Sequence, residues 1–289
     1  MGMFLIVISL LVHQAESIVV KEYGKKYGKG GMFFNAAICL FAFAYFGLSE
    51  LFSGEYLFYF PKQLWGYGLA SGFCYATGFY TMYVALKNGS FGLTKLLSSF
   101  GSIIPIVYGI TFLNEQPAKF TYVSVTLILV SVFLMNYNKN NDEKSPISLK
   151  WVLCVIGTVL ANAGIMIVAK SQQLVFDTKC SNEFLMISYA LATFFLMLFG
   201  FIYERDQFGQ TITKGALYGI VAGAFNGINN VLILVTYLFL PISIVSPVKT
   251  ALGLVISFVL SVLLYKEKFT KKQLLSVLLG IVAVVLIKL

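Results

Sequence analysis

Charge is the first thing this sequence is short of. Asp, Glu, Lys and Arg make up 11% of its 289 residues, against about 25% in a soluble globular domain. The shortfall excludes an ordinary water-solvated surface. Histidine occurs once. Cysteine occurs four times, at Cys39, Cys74, Cys154 and Cys180, with no CxxC spacing. That supplies neither a metal-ligand cluster nor a disulfide framework, and the cysteines read as small core residues. With one histidine, no phosphate-cradling glycine loop and no hydrolytic triad, the chain reads as a non-enzyme without a cofactor. Short alternating segments are missing too, which excludes a transmembrane β-barrel.

What is present is apolar length. Hydrophobic residues account for 58% of the chain and the mean hydropathy is +0.85. Runs long enough to cross a bilayer recur from end to end. Ten spans can be drawn, at 3–21, 31–49, 64–86, 91–113, 119–136, 149–169, 182–203, 214–238, 242–264 and 271–287. The first run contains Glu16 and has no basic n-region or clear cleavage site, so it reads as a span and not as a signal peptide. The net charge of +9 sits mostly in short connections. That favours contact with anionic lipid headgroups over nucleic acid.

The chain repeats itself about a polar loop. LNEQPAKFTYVSVTLILVSVFLM (113–135) lies over YKEKFTKKQLLSVLLGIVAVVLI (265–287) without a gap, placing Glu115 on Glu267 and Gly101 on Gly253. With a one-residue shift, Gly68 falls on Gly219 and Gly72 on Gly223. A repeat with an odd number of crossings must re-enter the membrane from the opposite side, which is the inverted plan of secondary transporters. The expected fold is an all-α polytopic membrane protein with ten transmembrane helices as two inverted five-helix repeats. These are residues 1–137 and 149–289, joined by a central loop at 138–148.

Polar groups inside apolar runs mark candidate function. Lys249 stands seven residues into the span that begins at Ile242, a depth of roughly 10 Å. Ser246 and Thr250 flank it, and a cation among hydroxyls can hold a carboxylate or phosphate. His13 and Glu16, at i and i+3, share a face of the first span and point to proton or cation coupling, or to recognition of an amine. Asn226, Asn229 and Asn230 form one stripe of the eighth span, beside glycines 219, 223 and 227 spaced for close helix packing. Tyr75 offers an aromatic wall with a phenolic handle. Lys95 lies about one turn inside the fourth span and reads first as snorkelling to the interface. Glu115 and Glu267 occupy short turns, where each carboxylate is expected to cap the helix that follows. Pro105 is expected to kink its helix or to leave a carbonyl free.

The stretches SVLLYKEKFTKKQLLSVLLGIVAVVLI, YGITFLNEQPAKFTYVSVTLILVSV and PVKTALGLVISFVLS carry a resemblance. The chain is similar to the drug/metabolite transporter superfamily, and most to its EamA-like branch. The first half departs from the pattern, with Ile128 in the register of Gly280. The resemblance implies a ten-span carrier working by alternating access, often an exporter of amino acids or other small metabolites. Nucleotide-sugar carriers are more distant relatives that keep basic residues in central helices, as Lys249 and Lys95 would. The expected function is transport of a small polar, amino-acid-like solute across the plasma (cell) membrane, by a monomer or homodimer among lipids. A nucleotide-sugar or phosphorylated-metabolite exchanger is the alternative within transport; a channel or a membrane scaffold is the alternative outside it. The lysine-rich connections after the odd-numbered spans argue for termini facing outward, whereas the resemblance implies termini in the cytoplasm.

Overall fold

Backbone groups inside a bilayer find no water, so an apolar run must bond its N–H and C=O groups within itself. Here the runs do so as helices. A computed structural model of the chain describes residues 1–27, 31–53, 59–88, 94, 97–98, 100–116, 119–136, 148–177, 179–265 and 270–286. Lys95, Glu267 and most of the central loop lie outside the described residues.

Among the described residues the longer helices are α1 (Gly2–Tyr27), α2 (Gly31–Ser53), α3 (Lys62–Asn88), α4 (Ile103–Phe112), α5 (Thr121–Asn136), α6 (Leu149–Phe176), α7 (Ser181–Tyr203), α8 (Ala216–Phe239), α9 (Ile242–Tyr265) and α10 (Lys271–Leu286). Among the described residues, six stretches are long and apolar enough to cross a membrane: Gly2–Tyr27, Gly31–Leu51, Leu149–Phe176, Ser181–Tyr203, Arg205–Phe239 and Ile242–Leu260. Phe100–Phe112 and Thr121–Leu134 are shorter apolar helices. The protein is an all-α polytopic integral membrane protein.

Two compact units divide the chain, Met1–Tyr80 with Val168–Phe239, and Thr81–Ile167 with Leu240–Leu289. Each unit draws residues from both sides of the central loop, so the compact units are not the two sequence halves.

In the first unit, small residues bring helices together. A Cβ added at Gly223 would stand 2.8 Å from the Ile38 carbonyl, and one at Gly227 would stand 2.9 Å from the Tyr45 ring. The glycine stripe of α8 therefore packs against α2, as its spacing implies, and both helices run the same way. Helix α7 runs antiparallel to α2. The Glu204 carboxylate accepts from the Met32 amide at 2.8 Å at one end, and Asn182 donates to Glu50 at 2.8 Å at the other. Helix α1 runs antiparallel to α8, with Tyr23 beside Tyr218 and Glu16 beside Asn226.

In the second unit, α4 and α9 run antiparallel, with Ser246 bonded to the Ser102 carbonyl at 2.8 Å and Gly109 facing Ile242. Helices α5 and α10 are joined by reciprocal bonds. Ser131 Oγ donates to the Ser276 carbonyl at 2.7 Å and Ser276 Oγ donates to the Ser131 carbonyl at 2.6 Å.

Two expectations change here, and a third meets its setting. Glu115 caps a helix, but not the one that follows it: its two carboxylate oxygens accept from the amides of Ile242 and Ser243, both at 2.9 Å, at the start of α9. Asn114 adopts the left-handed region (φ 50°) just before it, a conformation asparagine tolerates, and this turn aims the carboxylate across the unit. Pro105 is the third residue of α4, after a 3-10 turn at Phe100–Ser102. A proline has no N–H to give the carbonyl four residues earlier, that of Gly101, which lies in this 3-10 turn. Finally, α6 continues past 169 to Phe176. Neither glycine nor proline interrupts AKSQQLVF, and Lys170, Gln172 and Gln173 are buried helical residues.

Candidate functional site

A carboxylate in an apolar helix needs donors. Glu16 is 7% exposed and finds them on two sides. One oxygen accepts from Asn226 Nδ2 of α8 at 2.8 Å. The other lies 3.3 Å from His13 Nδ1, one turn earlier on α1. The i, i+3 spacing thus brings His13 and Glu16 together as expected. The His13 side chain is about half exposed, so the pair links a buried carboxylate to a reachable imidazole.

From Asn226 the bonding continues through Asn230 on the same helix and through one tyrosine on each of two more helices. The Tyr189 hydroxyl of α7 donates to Asn226 Oδ1. Asn230 Nδ2 donates to the Tyr189 oxygen at 2.7 Å and to the Asn226 carbonyl at 2.9 Å. The Tyr75 hydroxyl of α3 donates to Asn230 Oδ1 at 2.8 Å. Every link donates in one direction: Tyr75 to Asn230, Asn230 to Tyr189, Tyr189 to Asn226, Asn226 to Glu16. The carboxylate is the acceptor on which the whole series ends. Apolar packing holds the line, for the Tyr189 ring lies stacked between Phe46 at 5.8 Å and Tyr75 at 5.4 Å. Gly72 lets α7 approach α3, since a Cβ there would stand 2.6 Å from the Ser188 carbonyl.

The carboxylate thus divides its two oxygens: one faces the His13 ring and the other accepts from Asn226, which ties the pair to the series.

The other candidates fall out differently. Asn229 is buried, but its Oδ1 has no partner among the described residues, and it stands outside the series that Asn226 and Asn230 share. In the second unit Lys249 is partly buried. Its two hydroxyl neighbours point their protons elsewhere. Ser246 Oγ donates to the Ser102 carbonyl, and Thr250 Oγ1 donates to the Ser246 carbonyl at 3.1 Å. Each hydroxyl has one proton, so neither adds a donor for an anion beside Lys249. Glu16 and Lys249 belong to different units.

Two residues escaped the sequence reading. Tyr189 is one of 17 tyrosines and 27 phenylalanines, and nothing local distinguishes it. Lys170 is 6% exposed, donates to the Tyr237 carbonyl at 2.8 Å and lies 5.9 Å from that ring's centroid. It satisfies one of the last carbonyls of α8, an orphan of the helix end. The unbroken run past 169 was the signal that it stood inside a helix.

Comparison with protein families decides the class. Residues 1–137 and 149–289 match the model of the EamA-like transporter family. The chain belongs to the EamA-like transporter family. A solved crystal structure, titled only as that of a protein, is 12% identical, covers 99% of this chain and 95% of its own, and superposes with a TM-score of 0.79. At that identity the likeness speaks for the fold alone. The comparison with curated proteins finds no match. Membership of a transporter family makes this EamA-like chain a membrane transporter by class and not an enzyme. Among the described residues no group of three or more His, Cys, Asp or Glu could hold a metal ion.

Proposed function

We propose that this EamA-like protein is a secondary transporter that moves a small polar, amino-acid-like solute across the plasma membrane by alternating access, with Glu16 and His13 as its proton-coupling pair. The observation that carries the reading is the series of side-chain bonds converging on one buried carboxylate in α1. An ionisable group inside a membrane helix is costly, and it persists where it handles an ion or a substrate. An amino-acid-like solute carries an ammonium, which a buried carboxylate such as Glu16 attracts. At Lys249 a phosphorylated solute would find the Ser246 and Thr250 hydroxyls already donating to carbonyls, which weighs against the exchanger alternative.

Alternating access in such carriers rests on inverted repeats, and we assign these to 1–137 and 149–289. The antiparallel pairing of α2 with α7, and of α4 with α9, supports that assignment. These are helices in equivalent places of the two halves, and inversion makes equivalent helices run in opposite directions.

The test is a thermal-shift screen of the purified protein against amino acids, nucleotide sugars, amines and organic acids, since a specific ligand raises stability by mass action. Stabilisation by amino acids that weakens in Glu16→Gln supports the proposal. Stabilisation by nucleotide sugars, unchanged in Glu16→Gln, contradicts it. Transport of the hit in proteoliposomes, followed against pH, then tests coupling: Glu16→Gln is expected to flatten the profile.

A further inference from the structure

The end of α1 and the segment entering α8 close around one tyrosine, and we propose that they form a binding site for the phosphate headgroup of an anionic lipid. Tyr27 is the last residue of α1. Two ammonium groups share its ring, Lys26 Nζ at 5.5 Å from the centroid and Lys214 Nζ at 5.9 Å. Lys26 precedes Tyr27 in the chain. Lys214 arrives from 187 residues away, so its presence there is tertiary.

The segment that delivers it is fastened. Gln210 Nε2 donates to the Tyr27 carbonyl at 3.0 Å. Residues Thr211–Gly215 form a π-helical turn, a local widening that recurs at functional sites. Gly215 lies against Tyr23, where a Cβ would stand 3.1 Å from the ring. Behind this, Tyr23 stacks on Phe34 at 3.9 Å, and Tyr218 sits 5.7 Å from Tyr23 and 6.1 Å from Tyr27. A tyrosine cluster at a helix end has the character of the aromatic belt at headgroup depth.

The two cations have no carboxylate partner among the described residues. The nearby Glu22 carboxylate is engaged by Lys25 at 3.2 Å. Two ammonium groups about one ring concentrate positive charge at this helix end, and a phosphate supplies charge and acceptor oxygens at once. Ile212 and Leu217 are exposed on either side of Lys214. They fit acyl chains, and a free phosphate would leave them uncovered. The occupant is therefore a lipid.

The test uses the full chain in detergent, with lipid binding followed by native mass spectrometry and by the unfolding midpoint. Phosphatidylglycerol is expected to bind and raise the midpoint, while phosphatidylcholine and inorganic phosphate leave it unchanged. K26A/K214A is expected to bind phosphatidylglycerol about thirtyfold more weakly. K26R/K214R is expected to restore binding, and K179A, at an exposed lysine elsewhere, to leave it as it was. Equal stabilisation by phosphatidylcholine, stabilisation by inorganic phosphate alone, or undiminished binding in K26A/K214A would overturn the proposal.

Discussion

The polar groups on α1 and on α9 are both membrane-embedded, yet they are satisfied in opposite ways. Around Glu16, side chains bond to side chains, and the line of bonds crosses α1, α8, α7 and α3. Around Lys249, the hydroxyls of Ser246 and Thr250 bond to main-chain carbonyls. The helix itself is pinned by Glu115 through main-chain amides. A side chain bonded to backbone is fixed by the fold. A side chain bonded to another side chain depends on that partner's protonation and rotamer. The polar groups of α1 are therefore held by one another, and those of α9 by the backbone.

The strongest way to break this contrast is Glu16→Ala. It leaves the Asn226 amide buried without its acceptor, and about 1–3 kcal/mol of stability should be lost. Transport should fall to background, measured as solute uptake into proteoliposomes. Glu115→Ala comes next. It removes both acceptors from the first amides of α9 and should cost about 2 kcal/mol, read from unfolding in detergent, with no change in the pH profile of transport. Tyr189→Phe should cost about 1 kcal/mol and should alter that pH profile less than Glu16→Ala does, because it removes one of two links between Asn230 and Asn226, the direct Asn230–Asn226 bond at 3.2 Å remaining. Thr250→Val removes one local bond to a carbonyl and should cost about 0.6 kcal/mol or less, leaving the profile alone. The smallest effect belongs to Cys180, between α6 and α7. Partial burial raises its thiol pKa, and the charges of Glu183 and Glu50 raise it further. Thiolate is the reactive form, so maleimide labelling at neutral pH should be slow and should quicken as pH rises. Glu183→Gln should quicken it at neutral pH.

The difference between the two sites also marks what could be read from the chain alone. Helical class, membrane residence and the His13–Glu16 pair follow from apolar run length and i, i+3 spacing, which are local. The stripe of Asn226 and Asn230 was equally visible, because four residues is one helical turn. Tyr189 was not, since its role comes from where α7 lies between α2 and α3. Glu115 shows the boundary clearly. A carboxylate in a short turn announces a cap, but the helix it caps begins 127 residues later. Lys170 was hidden by a boundary drawn at residue 169, where the apolar run ends although the helix does not. Local periodicity carries helices and faces; partners across helices require the packing.

The central claim is that Glu16 and Tyr75, on different helices and with no direct bond between them, belong to one coupled line. A double-mutant cycle with Glu16→Gln, Tyr75→Phe and the double variant, measured by unfolding in detergent, tests it most directly. The account predicts an interaction energy of about 0.5 kcal/mol or more, reduced when Tyr189 is replaced by Phe. Additivity within about 0.3 kcal/mol in the otherwise native protein would contradict it.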